Sequence, residues 1–309
     1  MLRCFLEDSQ GTRHSLSTLK KLKLSCSEGV PAHSLRVVTD NLDDRVFTKV
    51  HLLEDDECVL SAMVDEQVLS VGENSRTELI CRSTAALLLD NEARAANFVN
   101  PCTELIFKTY AQPFGFKEYI GEDVCLPGDF SVGNGVSCYQ VLGEFAKGAY
   151  GKSIDVVGDK VCFEAEEEKD KLCFSNDSQG LPFADFTYSK FPCRRLSKIY
   201  VKTWSQGDYD TVVADEEAVD MGIVRERYID ATEVSDKSLA DAHSAISDAV
   251  KSAEEISLAT PARFMNILGA QASVRVGEKL YERFEVKSFV YTLNGEKEET
   301  RLTLCRKEM

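Results

Sequence analysis

No stretch of the sequence stays apolar for the roughly 18 residues that a bilayer-spanning helix requires, so no membrane helix is expected. The start, MLRCFLEDSQGTRHS, turns acidic and polar by position 7 and lacks the apolar centre of a secretory signal. The expectation is a protein that acts where it is made or leaves by lysis. Neither CxxC nor CxxxC occurs, and His14, His33, His51 and His243 lie far from paired cysteines without HxxxH or HExxH spacing. No metal site is therefore expected. GxSxG is missing, and the one glycine cluster, SVGNGVS at 131–137, lacks the Lys-Ser/Thr of a phosphate loop and the third glycine of a dinucleotide fingerprint. It reads as a turn leading into a helix, and no cofactor is expected.

Basic residues are scarce. Lys and Arg number 36 against 52 Asp and Glu, and the net charge of −16 disfavours general binding to nucleic acid or an anionic membrane. Aromatic residues do not interleave with basic ones, and RRLSK at 194–198 is too short for a nucleic-acid patch. Among so many carboxylates an acid pair of the glycosidase kind can always be imagined, because such pairs are defined by separation in space. None is nominated, and no Cys–His pair can be picked from eleven scattered cysteines.

Those cysteines are themselves informative. Cys81, Cys138 and Cys162 sit within apolar patterns, where a free thiol behaves as a small buried hydrophobe, and the odd count in an unexported chain agrees with reduced core thiols.

Residues 1 to about 75 read as strands: SLRVVTD, RVFTKVHLL and CVLSAMVDEQVLSV are β-branched or alternating runs, followed by TELICR. The acidic DNLDD (40–44) and EDDE (54–57) read as solvated hairpin turns, since the EF-hand ligand pattern is missing. The period then changes. A barely two-turn helix in ELICRSTAALLLDNEA is followed by CTELIFKTYAQ, with Asn100-Pro101 as cap and first-turn proline, Leu105, Ile106 and Thr109 to Tyr110 on one face, and Pro113 and Gly115 as its end. A third helix begins at a Ser137/Gln140 capping box, carries Cys138, Val141, Leu142, Phe145, Ala146 and Ala149 as a stripe and stops at Gly151. Gly158-Asp159 and Asn294-Gly295 mark tight hairpins, and EAEEEKDK (164–171) reads as a charged hairpin tip. One long helix places Leu239, Ala242, Ile246, Ala249, Val250, Ala253 and Ile256 on one face, bordered by His243 and closed by Pro261. The fold class is α+β: two β modules, each interrupted by a helix-containing insertion, with no low-complexity linker. The expected division is 1–77 plus 158–190 for the first β module and 78–157 for its α/β insertion. The second module takes 191–215 plus 262–309, with a helical insertion at 216–261.

The segment ELICRSTAALLLDNEA (78–93) resembles the chain entering the second domain of phage baseplate hub proteins, the late control protein D-like tail proteins of contractile-tail phages and phage-like bacteriocins. PFGF (113–116), GVSCYQVLGEFAKGAYGKSIDVVGDKVCFE and AVDMGIVRERYIDATEVSDKSLADAHSAI (218–246) resemble later segments of the same family. The resemblance implies a trimeric, pseudo-sixfold ring with two similar β-barrels per chain, joining a hexameric tail tube to a trimeric central spike. It implies a homotrimer in a virion or tailocin baseplate, assembled in the bacterial host cytoplasm. Tube, spike, other baseplate proteins and the tape measure are its partners, with DNA as non-adhering cargo in a phage. It carries no catalytic, cofactor-binding or metal residues to this sequence. The rival expectation is a tail-associated peptidoglycan hydrolase using carboxylates that no motif reveals.

Overall fold

Alternation organises the chain wherever it is a strand: in Ser34–Thr39 every second side chain is buried, and Leu22, Leu24 and Cys26 repeat the rhythm in the strand beside it. The computed structural model describes residues 2–40, 42, 45–73, 75–164, 169–177, 180–202, 208–230 and 237–307. The chain forms two compact units, Met1–Glu168 with Arg263–Asn266 and Val290–Glu299, and Lys169–Ala262 with Ile267–Phe289 and Thr300–Met309.

The first unit opens with β1 (Leu2–Asp8), β2 (Arg13–Ser15), β3 (Leu19–Ser27), β4 (Ser34–Thr39), β5 (Phe47–Glu54), β6 (Glu57–Ser70) and β7 (Arg76–Ser83). They make one antiparallel sheet in the order β3-β4-β7-β6-β5-β1-β2. The β5–β6 turn is Asp55-Asp56, both at positive φ (47° and 75°) and exposed, as the solvated acidic hairpin requires. DNLDD (40–44) and EAEEEKDK (164–171) lie partly outside the described residues.

After β7 the chain builds an insertion from α1 (Ala85–Asp90), β8 (Ala96–Val99), α2 (Thr103–Tyr110), β9 (Glu118–Ile120), β10 (Asp129–Val132), α3 (Cys138–Tyr150), β11 (Asp155–Val157) and β12 (Lys160–Cys162). β8 pairs with β10, and β12 lies between antiparallel β11 and parallel β9. The capping box forms as expected, Gln140 N–H donating to Ser137 Oγ and Ser137 N–H to Gln140 Oε1. Gly151 ends α3 at φ 68°, and Gly158 turns the β11–β12 hairpin at φ 60°.

Three expectations need correction here. α2 starts at Thr103, two residues past the proposed proline start, because Asn100 takes a left-handed turn (φ 47°) locked by its Oδ1 on Gly128 N–H. Its buried face is Thr103, Ile106, Phe107 and Tyr110, leaving Leu105 exposed and Thr109 half-buried. The β12 hairpin belongs to the insertion, since Val161 and Phe163 sit in the core formed with Leu142, Phe145 and Ile106.

The second unit contains β13 (Leu172–Ser175), β14 (Ala184–Lys190), β15 (Lys198–Lys202), β16 (Thr211–Ala214), α4 (Glu216–Asp220), β17 (Glu226–Asp230), α5 (Lys237–Ala253), β18 (Glu254–Thr260) and β19 (Gln271–Val276). β20 (Lys279–Asn294) and β21 (Lys297–Arg306) begin or end in it, and their hairpin turns at Gly295-Glu296. Its sheet runs β14-β18-β21-β20, extended by β19 and then parallel β13. β13 and β14 therefore leave the first β module, where 158–190 had been expected, because their pairing partners are β19 and β18. The helical insertion shifts too. α5 stops at Ala253, and Ile256 is a strand residue opposite Leu304. β15, β16 and β17 instead join α5 in a separate small core of Leu196, Ile199, Val201, Val213, Ala242 and Ala249. No helix among the described residues is long and apolar enough to cross a membrane.

Candidate functional site

The small sheet β16-β15-β17 exposes apolar and aromatic side chains on one face. Ile199, Val201 and Val213 face α5 and are buried. The alternate positions must then face away from the helix, and the register aligns Val212, Tyr200 and Tyr228 in one row across the three strands. Tyr228 is 61% exposed, Val212 47% and Val224, before β17, 83%. The Tyr200 and Tyr228 rings stack at 5.0 Å and 13°, Tyr209 meets Tyr228 edge-on at 5.2 Å, and the Tyr209 hydroxyl donates to Asp230 at 2.5 Å. The same strands carry Lys198 opposite Glu226 and Lys202 opposite Asp230. A face of tyrosines and an aliphatic residue with both charge signs around it suits a protein partner better than a polyanion.

Below it lies a buried ion pair that sequence reading missed. Arg195, within the run set aside as too short for a nucleic-acid patch, donates from Nε and Nη2 to both Asp215 oxygens at 2.8 Å and from Nη2 to Glu217 at 3.0 Å. Both Arg195 and Asp215 are buried. Asp215 also caps α4 by accepting from Ala218 N–H. The Arg195 guanidinium holds the Glu217 carboxyl below the usual range. An open cleft between β16 and α5 is lined by Val213, Ala214, His243, Ser244 and Ser247, and His243 is exposed at the helix edge.

In the first unit, Arg263 binds Glu298 (Nε to Oε2, 2.8 Å) and Glu54 (3.1 Å), which keeps Glu298 ionised below its ordinary range. Arg82 makes paired bonds to Asp65 and Asp90, tying the end of β7 to the end of α1. These are bracing contacts. The cysteines are free thiols; Cys4, Cys26, Cys81, Cys138, Cys162 and Cys305 are buried, and burial pushes Cys4 and Cys81 up to about 12. Cys58 differs: it is exposed and lies near Ser61, which binds buried His51.

No protein-family model matches the sequence, and no curated protein matches it. Solved structures do match it along nearly its whole length. A tail protein from Neisseria meningitidis MC58 superposes with a TM-score of 0.75 at 17% identity, covering 99% of this chain and 96% of that one. The 43 kDa tail protein of prophage MuSo2 from Shewanella oneidensis gives a TM-score of 0.77 at 14% identity and 98% of both chains. An E. coli type VI secretion system component, described as structurally similar to the T4 tail proteins gp27 and gp5, gives 0.58 at 8% identity over 94% of this chain and 74% of that one. The chain has the fold of phage tail proteins, shared with secretion-system components of the baseplate type.

Proposed function

We propose that this chain is the structural baseplate hub of a contractile phage tail or phage-like particle. Three copies close a pseudo-sixfold ring from two β-barrel modules per chain, and the ring adapts a hexameric tail tube to a trimeric central spike. The observation that carries this reading is the end-to-end match to two tail proteins. The likeness to a type VI secretion system component described as structurally similar to T4 tail proteins supports the same reading. The tyrosine face of β16-β15-β17 meets a neighbouring copy in the ring, where its mixed charges find opposite partners. The chain works without catalysis, as part of the particle. Its −16 charge keeps the ring's bore repulsive to DNA, so that reversing bore-facing carboxylates to lysine slows genome release, most at low salt.

Native mass spectrometry of the hub co-expressed with its tube and spike tests the reading. A trimer of about 103 kDa, from chains of 34.4 kDa, is expected within the complex. A stable dimer or hexamer of the hub in that complex would overturn it. Zymography of the purified protein on bacterial cell walls should show no clearing, and a cleared band abolished by a single carboxylate substitution would favour a hydrolase instead.

A further inference from the structure

The first unit gathers four polar side chains that the assembly reading leaves unused. In the register of β1, β5 and β6, His51 stands opposite Ser61 on one side and Phe5 on the other, and Glu7, two residues beyond Phe5, shares the His51 face. His51 is buried. Its Nε2 lies 3.2 Å from Glu7 Oε2 and its Nδ1 2.9 Å from Ser61 Oγ. Ser61 Oγ is in turn 3.5 Å from Cys58 Sγ. Residues three apart on a regular strand point to opposite faces. The β5–β6 register slips between Leu52 and Leu53, which pair with Leu60 and Cys58, and this bulge turns the thiol to the hydroxyl's side.

We infer that Cys58 is a nucleophilic thiol held by a Glu7–His51–Ser61 relay, the site at which this chain is reversibly modified by thiol–disulfide exchange. Nε2–H donates to Glu7, the Cys58 proton passes to Ser61 Oγ as the hydroxyl proton passes to His51 Nδ1, and the imidazolium so formed donates to Ser61, whose hydroxyl donates to the sulfur and stabilises the thiolate. His51, aided by Ser61, draws the Cys58 thiol below its ordinary value against the opposing effect of burial. The other charges around the relay leave it intact. Lys49 Nζ (3.1 Å) and Arg13 Nε (3.9 Å) also bind Glu7, while Glu57 beside Cys58 and Glu54, which stands opposite Glu57, oppose the thiolate. Exposure supplies access. In the step itself the Cys58 thiolate attacks one sulfur of a low-molecular-weight disulfide. A new S–S bond forms as the old one breaks, and the departing thiolate carries off the electron pair and takes its proton from water.

Site-resolved alkylation by iodoacetamide, followed by mass spectrometry from pH 5 to 10, tests this with the exposed Cys125 and Cys193 as controls in the same molecule. Because a more acidic thiolate is also a weaker nucleophile, Cys58 should react about threefold faster than the controls, or more, at pH 6 to 7 and fall to parity or below it at high pH. Ser61→Ala, which removes a single oxygen, and His51→Gln should both bring it to the control rate. With glutathione disulfide as probe, the first mixed disulfide should form at Cys58 and vanish in Cys58→Ser. A Cys58 profile that tracks Cys125 and Cys193, or one that Ser61→Ala leaves unchanged in a protein of native circular dichroism, overturns the inference. So does a first adduct at another cysteine.

Discussion

In residues 96–163 a three-stranded sheet sets one central strand between a parallel and an antiparallel neighbour, and residues 196–253 repeat that pairing with β15 in the place of β12. The two insertions fill their cores differently. The first is aromatic: Phe163 touches the rings of Phe145, Tyr150 and Tyr119 at 5.7 to 6.1 Å, and Phe130 and Phe107 extend the contact outward. The second packs alanines of α5 against four buried aliphatic residues, Leu196, Ile199, Val201 and Val213, and keeps its tyrosines on the outer face. The same pairing pattern thus serves two ends. Large rings turned inward make a self-sufficient core, whereas small residues inward and rings outward make a thin core with adhesive surface left over. The second insertion compensates with a buried ion pair.

The contrast can be broken most forcefully at Phe163. Phe163→Ala should cost about 3–5 kcal/mol, as a cavity opens where three rings met, and hydrogen exchange should report the loss in residues 96–163 while β18 and β21 keep their protection. Asp215→Ala should cost about 3 kcal/mol in the second insertion. It leaves the Arg195 charge buried with only Glu217 beside it and removes the α4 cap, and fragment-resolved exchange over 196–253 would register it. Ser137→Ala should cost about 1 kcal/mol by opening the capping box of α3, a loss legible in a denaturant midpoint with unchanged slope. Acid sharpens the comparison further. The folded-state value of Glu217 lies below its ordinary 4.5, so its contribution is complete above that pH and is lost as pH falls through the lower folded value. Exchange over 196–253 should therefore quicken as pH falls below 4.5, and Glu217→Gln should remove that part of the rise. Tyr228→Ala should change monomer stability least, by about 0.5 kcal/mol or less, yet weaken the proposed trimer in the co-expressed complex. A trimer of unaltered strength would remove the tyrosine face from the interface.

The sequence was most legible where a local signal completes itself within a few residues. Ser137 with Gln140, Gly151, Gly158 and the Asp55-Asp56 turn each satisfy backbone groups nearby, and each stands where the pattern put it. It was least legible where a strand's partner lies far along the chain. Leu172–Ser175 and Ala184–Lys190 were assigned to the β module that precedes them, yet their hydrogen bonds go to β19 and β18, some 70 to 100 residues later. Ile256 continued the helical period of α5 by coincidence of spacing, while its backbone groups were claimed by β21. The Cys58 cluster had no sequence signal: its members are spread over positions 7 to 61, and a one-residue bulge decides which way the thiol points.

By itself the sequence determined the class of the molecule: α+β, acidic, its strands interrupted by helices, its cysteines free of paired spacing. Composition and short-range periodicity fix these, because capping, turn geometry and the alternation of a strand are settled between residues a few positions apart. Only the tertiary structure decided which strands share a sheet, which insertion keeps its aromatic residues inside, and which histidine sits behind a thiol. A strand's edge groups accept any partner of suitable register, and the choice among partners is made by burying one whole face at once, which no local stretch can specify.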